Sequence, residues 1–307
     1  MDKIISVDIV IPCYNIENII EKCLNSLLSQ SYPKDKYHCY FVNDHSSDNT
    51  GEILDKYSGH SNITIIHHQK NKGLSATRNT GAVMGDSELV AFLDGDMIVE
   101  KDWVESFLHY FDKYIIGVMG DNIPPPDIIL NPIEKYYFGT KRGARQFSDG
   151  EHISFQYMLY GNAMIKRSML SEVGFFDENI IRYGGEDTDL SAKLWDKYRG
   201  GFIFSKKSNS IHFHRRSLNE FCLNMKTYGE YNLPILVNRY PQYKKELGAN
   251  WIYSLRGFMV FNPFFSTIIK TISHIFPLQI FIKYVVINSV ISGARNSKRY
   301  SKLNKKI

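Results

Sequence analysis

Short apolar runs alternate with amphipathic helical patterns through the first third of this chain. Strand-like runs occur at Ile4–Ile11, His38–Val42, Ile63–Ile66 and Leu89–Leu93, and a stripe of isoleucines and leucines at helical spacing follows the first run. Apolar runs of this length bounded by polar turns are typical of strands buried on both faces. We therefore expect an α/β fold, a mostly parallel sheet with helices on both faces.

Composition and charge exclude several other classes of protein. The 307 residues suffice for one large or two modest domains, and 43% are hydrophobic. A net charge of +5 without a nucleic-acid-binding motif argues against nucleic acid as a partner. The four cysteines show no metal-binding spacing, and the N-terminus starts with a strand pattern instead of a signal peptide. Both features predict a cytoplasmic catalytic domain.

Two carboxylates lie where the Leu89–Leu93 run ends, in the triplet Asp94-Gly95-Asp96. Ligands of open α/β sheets bind at the carboxyl ends of the strands. Two acids one residue apart suit Mg2+ or Mn2+ bridging to phosphate oxygens. A solvated turn is the alternative, because Asp and Gly are turn residues.

Three further polar segments are candidates for nucleotide binding. In the turns after the first two strands, Asn15 would meet a base or ribose and Asp44 would accept from a nucleobase N–H. The alternative for both is turn chemistry, with Asn15 as a helix N-cap. Lys72 and Arg78 lie at and after a helix start, which favours anions, although Arg78 also fits an exposed position on an amphipathic helix.

Acids and histidines in the second half complete the set of candidates. Two glycines precede Glu186 and Asp187, so the chain can bend tightly there and present an acid as a general base. The alternative is a favourable interaction of both acids with a helix dipole. His212 and His214 point the same way in a strand, and either imidazole would complete a metal site begun by Asp96.

Together, these segments resemble the motifs of family 2 glycosyltransferases over residues 4–216. The matching segments, in the family's order, are Pro12-Cys-Tyr-Asn15, Val42–Asp48, Asn71–Asn79, Phe92–Asp96, Gly161–Arg167, Val173–Glu178 and Gly185–Asp187. The resemblance implies a GT-A fold with a Rossmann-like nucleotide-binding half at 1–96 and an acceptor-binding half at 97–216. A helical C-terminal extension with a basic tail would follow at 217–307.

The resemblance also implies roles for single residues. Eight would bind the nucleotide, usually uridine: Pro12, Tyr14, Asn15, Asp44, Lys72, Arg78, Asp94 and Gly95. Asp96, with His212 and Asp94, would hold Mn2+ or Mg2+, and His212 matches the family histidine better than His214. Asp187 would be the base that activates the acceptor hydroxyl, with Glu186 orienting the acceptor, and the anomeric centre would be inverted.

The implied activity is metal-dependent hexosyl or hexosaminyl transfer from a UDP-sugar to a glycan or lipid-linked acceptor in surface polysaccharide or glycolipid synthesis. A sugar nucleotidyltransferase would instead carry a loop rich in glycine and arginine after the first strand. A catalytically silent subunit that binds nucleotide or glycan would have no chemical need for the acids and histidine together. A basic segment, Gly139–Arg145, is expected to close over the diphosphate.

Two amphipathic patterns near the C-terminus predict membrane-surface association. Phe264–Ile275 and Leu278–Ile291 are rich in large apolar residues, but prolines and lysines interrupt the roughly 20-residue apolar stretch that a spanning helix needs. Two short helices with a basic tail fit an anchor at the inner face of the cell membrane. Packing on the catalytic domain or on a second copy, as a homodimer, is the alternative.

Overall fold

The computed structural model describes residues 5–297, whose contacts divide into two compact units. Unit 1 runs to Ile128 and includes Gly143–Ile181 and Asp187–His214. Unit 2 comprises Ile129–Arg142, Arg182–Glu186 and the chain from Arg215 onward. The division at residue 216 that the sequence predicts stays a prediction. The tail beyond Ser297, with most of its basic residues, lies outside the described residues.

Unit 1 is built on one sheet with the strand order β3-β2-β1-β4-β8-β6-β9-β5, and β7 pairs with β9. The strands are β1 (Val7–Cys13), β2 (Tyr37–Asn43), β3 (Ile63–His67), β4 (Leu89–Leu93), β5 (Met97–Val99), β6 (Gly117–Ile123), β7 (Glu151–His152), β8 (Asn162–Lys166) and β9 (Phe202–His212). Strands β1 to β4 pair in parallel, whereas β8 is antiparallel to β4 and β6. The carboxyl ends of the first four strands therefore meet the start of β8 at one edge.

Helices cover both faces of this sheet, as expected from the sequence. The unit 1 helices are α1 (Ile20–Leu28), α2 (Thr50–Asp55), α3 (Leu74–Met84), α4 (Trp103–Leu108), α6 (Arg167–Glu172) and α7 (Glu186–Lys197), which begins on the last residue of a unit 2 segment. Ile9 and Ile11 of β1 are buried in one cluster with Leu24 of α1. Val10 faces the other way, and a Cβ on Gly81 of α3 would lie 2.5 Å from its Cγ1. Alternate residues of one strand thus pack against different helices.

Unit 2 is helical. Its helices are α5 (Pro132–Tyr137), α8 (Leu218–Thr227), α9 (Leu233–Arg239), α10 (Leu255–Val260), α11 (Pro263–Ile275) and α12 (Gln279–Asn296), with a π-helical turn at Tyr228–Asn232. Gly229 and Gly293 permit close backbone contact here, because a Cβ on Gly229 would lie 2.0 Å from the Val290 carbonyl oxygen. Within residues 5–297, no helix combines the length and apolar character that crossing a bilayer requires.

A local motif fixes α5, and α12 differs from the sequence-based expectation. Asn131 caps α5 and forms a reciprocal capping box with Glu134, while Pro132 occupies the first turn. The single helix α12 spans 18 residues and is not short. Its buried Ile282, Val286 and Ala294 explain the added length, since tertiary packing stabilises it.

Candidate active site

Asp94 and its neighbours form the centre of the candidate site in unit 1. The Asp94 side chain follows β4 and is one-third exposed, and its backbone N–H donates to the Gly161 carbonyl at 2.8 Å. A Cβ on Gly161 would lie 2.6 Å from Asp94 Oδ2, so only glycine leaves space for this carboxylate. Gly95 is similarly constrained, because a Cβ there would lie 2.5 Å from Ile16 Cδ1. Close packing therefore sets the direction of the Asp94 side chain.

Asp96 lies beside both histidines predicted from the sequence. Its Oδ2 atom is 3.3 Å from His212 Nε2 and 3.7 Å from His214 Nδ1. His212 ends β9 opposite Met97 of β5, and its side chain is 4% exposed, against 46% for His214. The buried and nearer His212 is thus the better placed ligand.

This donor set fits a divalent cation that shares its shell with a substrate. A carboxylate and an imidazole are ligands that Mn2+ accepts, and Mg2+ typically uses one or two carboxylates plus phosphates and waters. Among the described residues, no group of three or more His, Cys, Asp or Glu side chains is arranged to hold a metal by itself. The fit therefore depends on oxygens supplied by a diphosphate.

Asp44 organises the loop that leads into α3. Its carboxylate is buried and accepts from His68 Nδ1 at 2.7 Å and from the backbone N–H groups of Lys72 and Gly73, each at 2.8 Å. His68 in turn contacts Thr80 Oγ1 through Nε2 at 3.0 Å. These bonds hold the Lys72–Gly73 turn against the end of β2. The predicted contact of Asp44 with a nucleobase stays a prediction.

Asn15 joins the loops after β1 and β2 and does not cap α1. Its φ is 50°, and its Oδ1 accepts from the Ser47 backbone N–H at 2.8 Å. Because α1 begins only at Ile20, the N-cap interpretation is wrong. The preceding Tyr14 is half exposed and Pro12 is partly buried at the same strand end.

Arg78 is buried between two carboxylates. It is 2% exposed, which rules out the exposed surface position that the helical pattern allowed. Its Nη2 donates to Asp94 Oδ1 at 3.0 Å, and its Nη1 donates to Asp187 Oδ1 at 2.8 Å. The guanidinium carbon also lies 5.3 Å from the centre of the Phe176 ring. Arg78 therefore connects the acid after β4 to the acid in the first turn of α7.

The environment of Asp187 raises the pKa of its carboxyl group. Burial raises its pKa, Arg78 opposes that rise, and the nearby Asp94 charge adds to it. Its Oδ2 also accepts from the Tyr160 backbone N–H at 3.3 Å. A carboxylate held this way stays available as a base while binding protons more readily than an exposed aspartate.

The turn before Glu186 is fixed within unit 2 by Asn232. The φ values of Gly184 and Gly185 are 76° and 103°, which confirms the predicted tight bend. The Nδ2 of the buried Asn232 donates to the carbonyl oxygens of Gly184 at 2.6 Å and Arg182 at 2.9 Å. Residue Asn232 was missed in the sequence analysis. An asparagine between helical residues and just before Pro234 was the available signal, since asparagine is unfavourable inside helices.

The two arginines of the basic Gly139–Arg145 segment have different contacts. In unit 1, Arg145 Nε pairs with Asp121 Oδ1 at 2.7 Å, and its Nη2 donates to the Asn122 carbonyl at 2.6 Å. In unit 2, the Arg142 guanidinium lies 4.6 and 5.1 Å from the ring centres of Tyr136 and Tyr137. Arg145 is thus anchored by an ion pair and a backbone carbonyl, whereas Arg142 is held by aromatic rings.

A match to a known family follows from comparison with other proteins. The model of Glycosyl transferase family 2 matches residues 8–174, more than half of the 307 residues. This chain belongs to that family. The match covers Asp44, Arg78, Asp94 and Asp96, whereas Asp187 and His212 lie beyond it.

Curated relatives of this family 2 member include glycosyltransferase AglE of Haloferax volcanii, 36% identical over 186 residues that cover 58% of each protein. A pre-mycofactocin glycosyltransferase of Mycobacterium tuberculosis is 28% identical over 62% of this chain and 40% of its own length. The chain thus spans about half the length of these relatives. The glucosyl-dolichyl phosphate glucuronosyltransferase of Haloferax volcanii is 23% identical, covering 79% of this chain and 81% of that protein.

Solved structures confirm the GT-A fold of this family 2 member. The mannosyltransferase PcManGT of Pyrobaculum calidifontis, in complex with GDP-Man and Mn2+, matches with a TM-score of 0.67 at 15% identity over 95% of this chain and 86% of that one. S. aureus TarS 1–349 in complex with UDP-GlcNAc matches with a TM-score of 0.58 at 15% identity, covering 98% and 92%.

Proposed function

We propose that this protein transfers a sugar from a nucleotide-sugar donor, a UDP-sugar, to a hydroxyl of a glycan or lipid-linked acceptor. The observation that carries the proposal is the Arg78 bridge between Asp94, at the carboxyl end of β4, and Asp187, at the start of α7. Family membership and neighbours bound to GDP-Man or UDP-GlcNAc support the donor class.

The nucleotide would bind across the carboxyl ends of β1, β2 and β4, where such sheets bind ligands. Pro12, Tyr14 and Asn15 would contact the base and ribose from one loop. Asp44 would act beside them and also through the Lys72–Gly73 turn, which its carboxylate holds. Asp94 and Gly95 would lie near the ribose.

Asp96 and His212 would hold Mn2+ or Mg2+, with Asp94 close to the same ion. When bound, the metal supplies Lewis-acid stabilisation of the departing nucleoside diphosphate. The PcManGT complex with Mn2+ supports a divalent ion as the cofactor. The two groups are close enough to share one ion, since His212 Nε2 lies 3.3 Å from Asp96 Oδ2.

Asp187 would take the proton from the acceptor hydroxyl as that oxygen attacks the anomeric carbon. Its raised pKa suits this step, because general bases work best when their pKa is near the operating pH. Glu186 would orient the acceptor from the preceding position. Attack opposite to the leaving diphosphate inverts the anomeric centre in one displacement.

We further propose that the acceptor belongs to surface polysaccharide or glycolipid synthesis at the inner face of the cell membrane. Relatives that support this acceptor class are the glucosyl-dolichyl phosphate glucuronosyltransferase and, at 27% identity, a poly-beta-1,6-N-acetyl-D-glucosamine synthase of Staphylococcus aureus. The match covers only 47% of the latter protein. We therefore propose the class of the acceptor and not its identity.

The test measures release of nucleoside diphosphate from a panel of UDP- and GDP-sugars, with Mn2+, Mg2+ or EDTA, with and without membrane lipid extract. We expect metal-dependent release from one UDP-sugar. The variant Asp187→Asn should lower turnover by about 10²- to 10⁴-fold, the usual contribution of a general base. It should still bind UDP in calorimetry.

Two outcomes would replace the proposal. If the unaltered protein binds UDP but turns over no donor, it is a silent subunit. If it instead releases pyrophosphate from a nucleoside triphosphate and a sugar 1-phosphate, it is a nucleotidyltransferase.

A further inference from the structure

Helix α11 of unit 2 turns two serines towards the protein and several large apolar side chains towards solvent. Ser273 is 3% exposed, and Ser266 Oγ accepts from Asn288 Nδ2 of α12 at 2.9 Å. Phe264 and Ile275, in contrast, are 70% and 65% exposed. At about 100° per residue, Phe264 and Ser273 lie on opposite sides of the helix. Exposed phenylalanine and isoleucine side chains opposite a buried serine differ from the usual surface helix, whose apolar residues face the core.

The segments next to α11 in the chain add further exposed large apolar residues. We call this set the apolar face. It consists of Leu255, Phe258, Met259, Val260, Phe264, Phe265, Ile268, Ile275, Phe276, Leu278 and Ile280, each at least 40% exposed. Soluble monomers seldom expose this many large apolar side chains together, and such patches mark interaction sites.

The charge of the same part of the chain identifies the kind of surface that it fits. Residues 247–307 contain no Asp or Glu and hold nine of the 37 lysines and arginines, so that the residues before them carry a net negative charge. Three of these basic residues, Arg256, Lys270 and Lys283, lie within the segments of the apolar face and are exposed. Apolar side chains flanked by cations alone suit the headgroup region of an anionic bilayer.

We propose that the apolar face binds the surface of an anionic lipid bilayer, with α10 and α11 lying in the plane of the interface. Phe264, Ile268 and Ile275 insert between headgroups, and Arg256, Lys270 and Lys283 contact lipid phosphates. The length and hydropathy of α11 allow it to lie on a bilayer without spanning it. This binding goes beyond the proposed glycosyl transfer and requires neither donor nor metal.

Flotation with lipid vesicles tests the proposal without any activity assay. The vesicles contain either phosphatidylcholine alone or phosphatidylcholine with about 30% phosphatidylglycerol. The anionic lipid gives the second kind of vesicle a negative surface potential. We expect the protein to float with the anionic vesicles and to bind at least about 10-fold less to neutral ones. Binding should weaken at about 0.5 M salt, where charges are screened.

The decisive variant is the triple change Phe264→Ser, Ile268→Ser and Ile275→Ser. All three side chains are exposed, so the fold should be retained while vesicle binding falls at least about 10-fold, because interfacial binding scales with buried apolar area. The matched control is the triple change Val83→Ser, Met84→Ser and Ile129→Ser. These three apolar residues are exposed but lie outside the apolar face. The control should bind vesicles as the unaltered protein does.

Three results would overturn the proposal. The first is that the unaltered protein binds neither vesicle, and the second is that the triple variant binds as tightly as the control. The third is that neither protein binds vesicles, while light scattering shows a dimer for the unaltered protein and a monomer for the triple variant. The apolar face would then be an interface between two copies. If the triple variant does not fold, Arg256→Gln, Lys270→Gln and Lys283→Gln together must reduce the preference for anionic vesicles instead.

Discussion

Arg78 donates to Asp94 and to Asp187 at once, at 3.0 and 2.8 Å, from a side chain that is 2% exposed. One buried guanidinium thereby sets the positions of the acid predicted near the ribose and the acid predicted as the base. Its charge also opposes the effect of burial on the pKa of Asp187. The chemistry at both acids therefore depends on the same residue.

The pH dependence of turnover should report this coupling. The base must be deprotonated, so kcat/KM rises with pH through the pKa of Asp187, which burial raises above that of an ordinary aspartate. Arg78→Gln removes the charge that lowers this pKa and should move the rise to higher pH. Asp94→Asn removes a charge that raises it and should move the rise to lower pH. Profiles that keep the same midpoint in both variants would show that Asp187 is not the titrating base.

The two histidines should differ in their effect on metal use. His212→Ala is expected to raise the metal concentration for half-maximal activity at least about 10-fold. Even the loss of a residue that only hydrogen-bonds to a metal ligand can weaken metal affinity by this factor. His214→Ala is the control and should change it little, because His214 is farther from Asp96 and half exposed. Titration of Mn2+ against activity distinguishes them. A larger loss in the His214 variant would assign the ligand role to His214.

Gly161→Ala should impair activity through Asp94. The new Cβ would lie 2.6 Å from Asp94 Oδ2, so the carboxylate has to move, and overpacking of this kind costs about 1–3 kcal/mol of stability. We expect a loss of kcat/KM that exceeds the change in thermal stability. Gly59→Ala is the matched control, since a Cβ at Gly59 contacts nothing within 4 Å. Full activity of the Gly161 variant would mean that the site tolerates a displaced Asp94.

Arg145 and Arg142 should separate stability from donor binding. Arg145→Ala leaves the mostly buried Asp121 carboxylate without its partner, which typically costs about 3–5 kcal/mol and should lower the melting temperature. Arg142→Ala loses ring contacts worth about 0.5–1 kcal/mol each, so it should lower the melting temperature less than Arg145→Ala does. It should also raise the donor KM, if the Gly139–Arg145 segment contacts the diphosphate. Calorimetry and steady-state kinetics measure the two effects. An unchanged donor KM in the Arg142 variant would remove that part of the hypothesis.

Asn232→Leu should lower kcat through the turn that precedes Glu186. The substitution removes the donor that bonds to the carbonyls of Gly184 and Arg182, so the turn loses its restraint. Turnover should fall while UDP binding is retained, because the nucleotide residues belong to other loops. Asn288→Leu is the control, since its amide donates to Ser266 Oγ of α11 at 2.9 Å, away from the turn before Glu186. Equal turnover in both variants would assign Asn232 a purely structural part.

The sequence by itself determined the alternating strands and helices of the first third and the acids that follow the Leu89–Leu93 strand. The apolar run at Leu89–Leu93 is a strand at the residues expected. The acids that follow it lie at the same edge of the sheet as the carboxyl ends of the parallel strands. Both conclusions rest on local patterns, because the spacing of apolar residues and the position of glycines are properties of short segments. The glycine bend before Glu186 belongs to the same class of inference.

Only the tertiary structure decided which side chains meet. The sequence offered Arg78 as an anion ligand or as an exposed residue of a helix, whereas its contacts are with acids from two distant segments. Asp44 likewise bonds to His68, and Ser266 of α11 accepts from Asn288 of α12. Such pairings join residues far apart in the chain, so local periodicity carries no information about them. Packing selects them once the helices and strands come together.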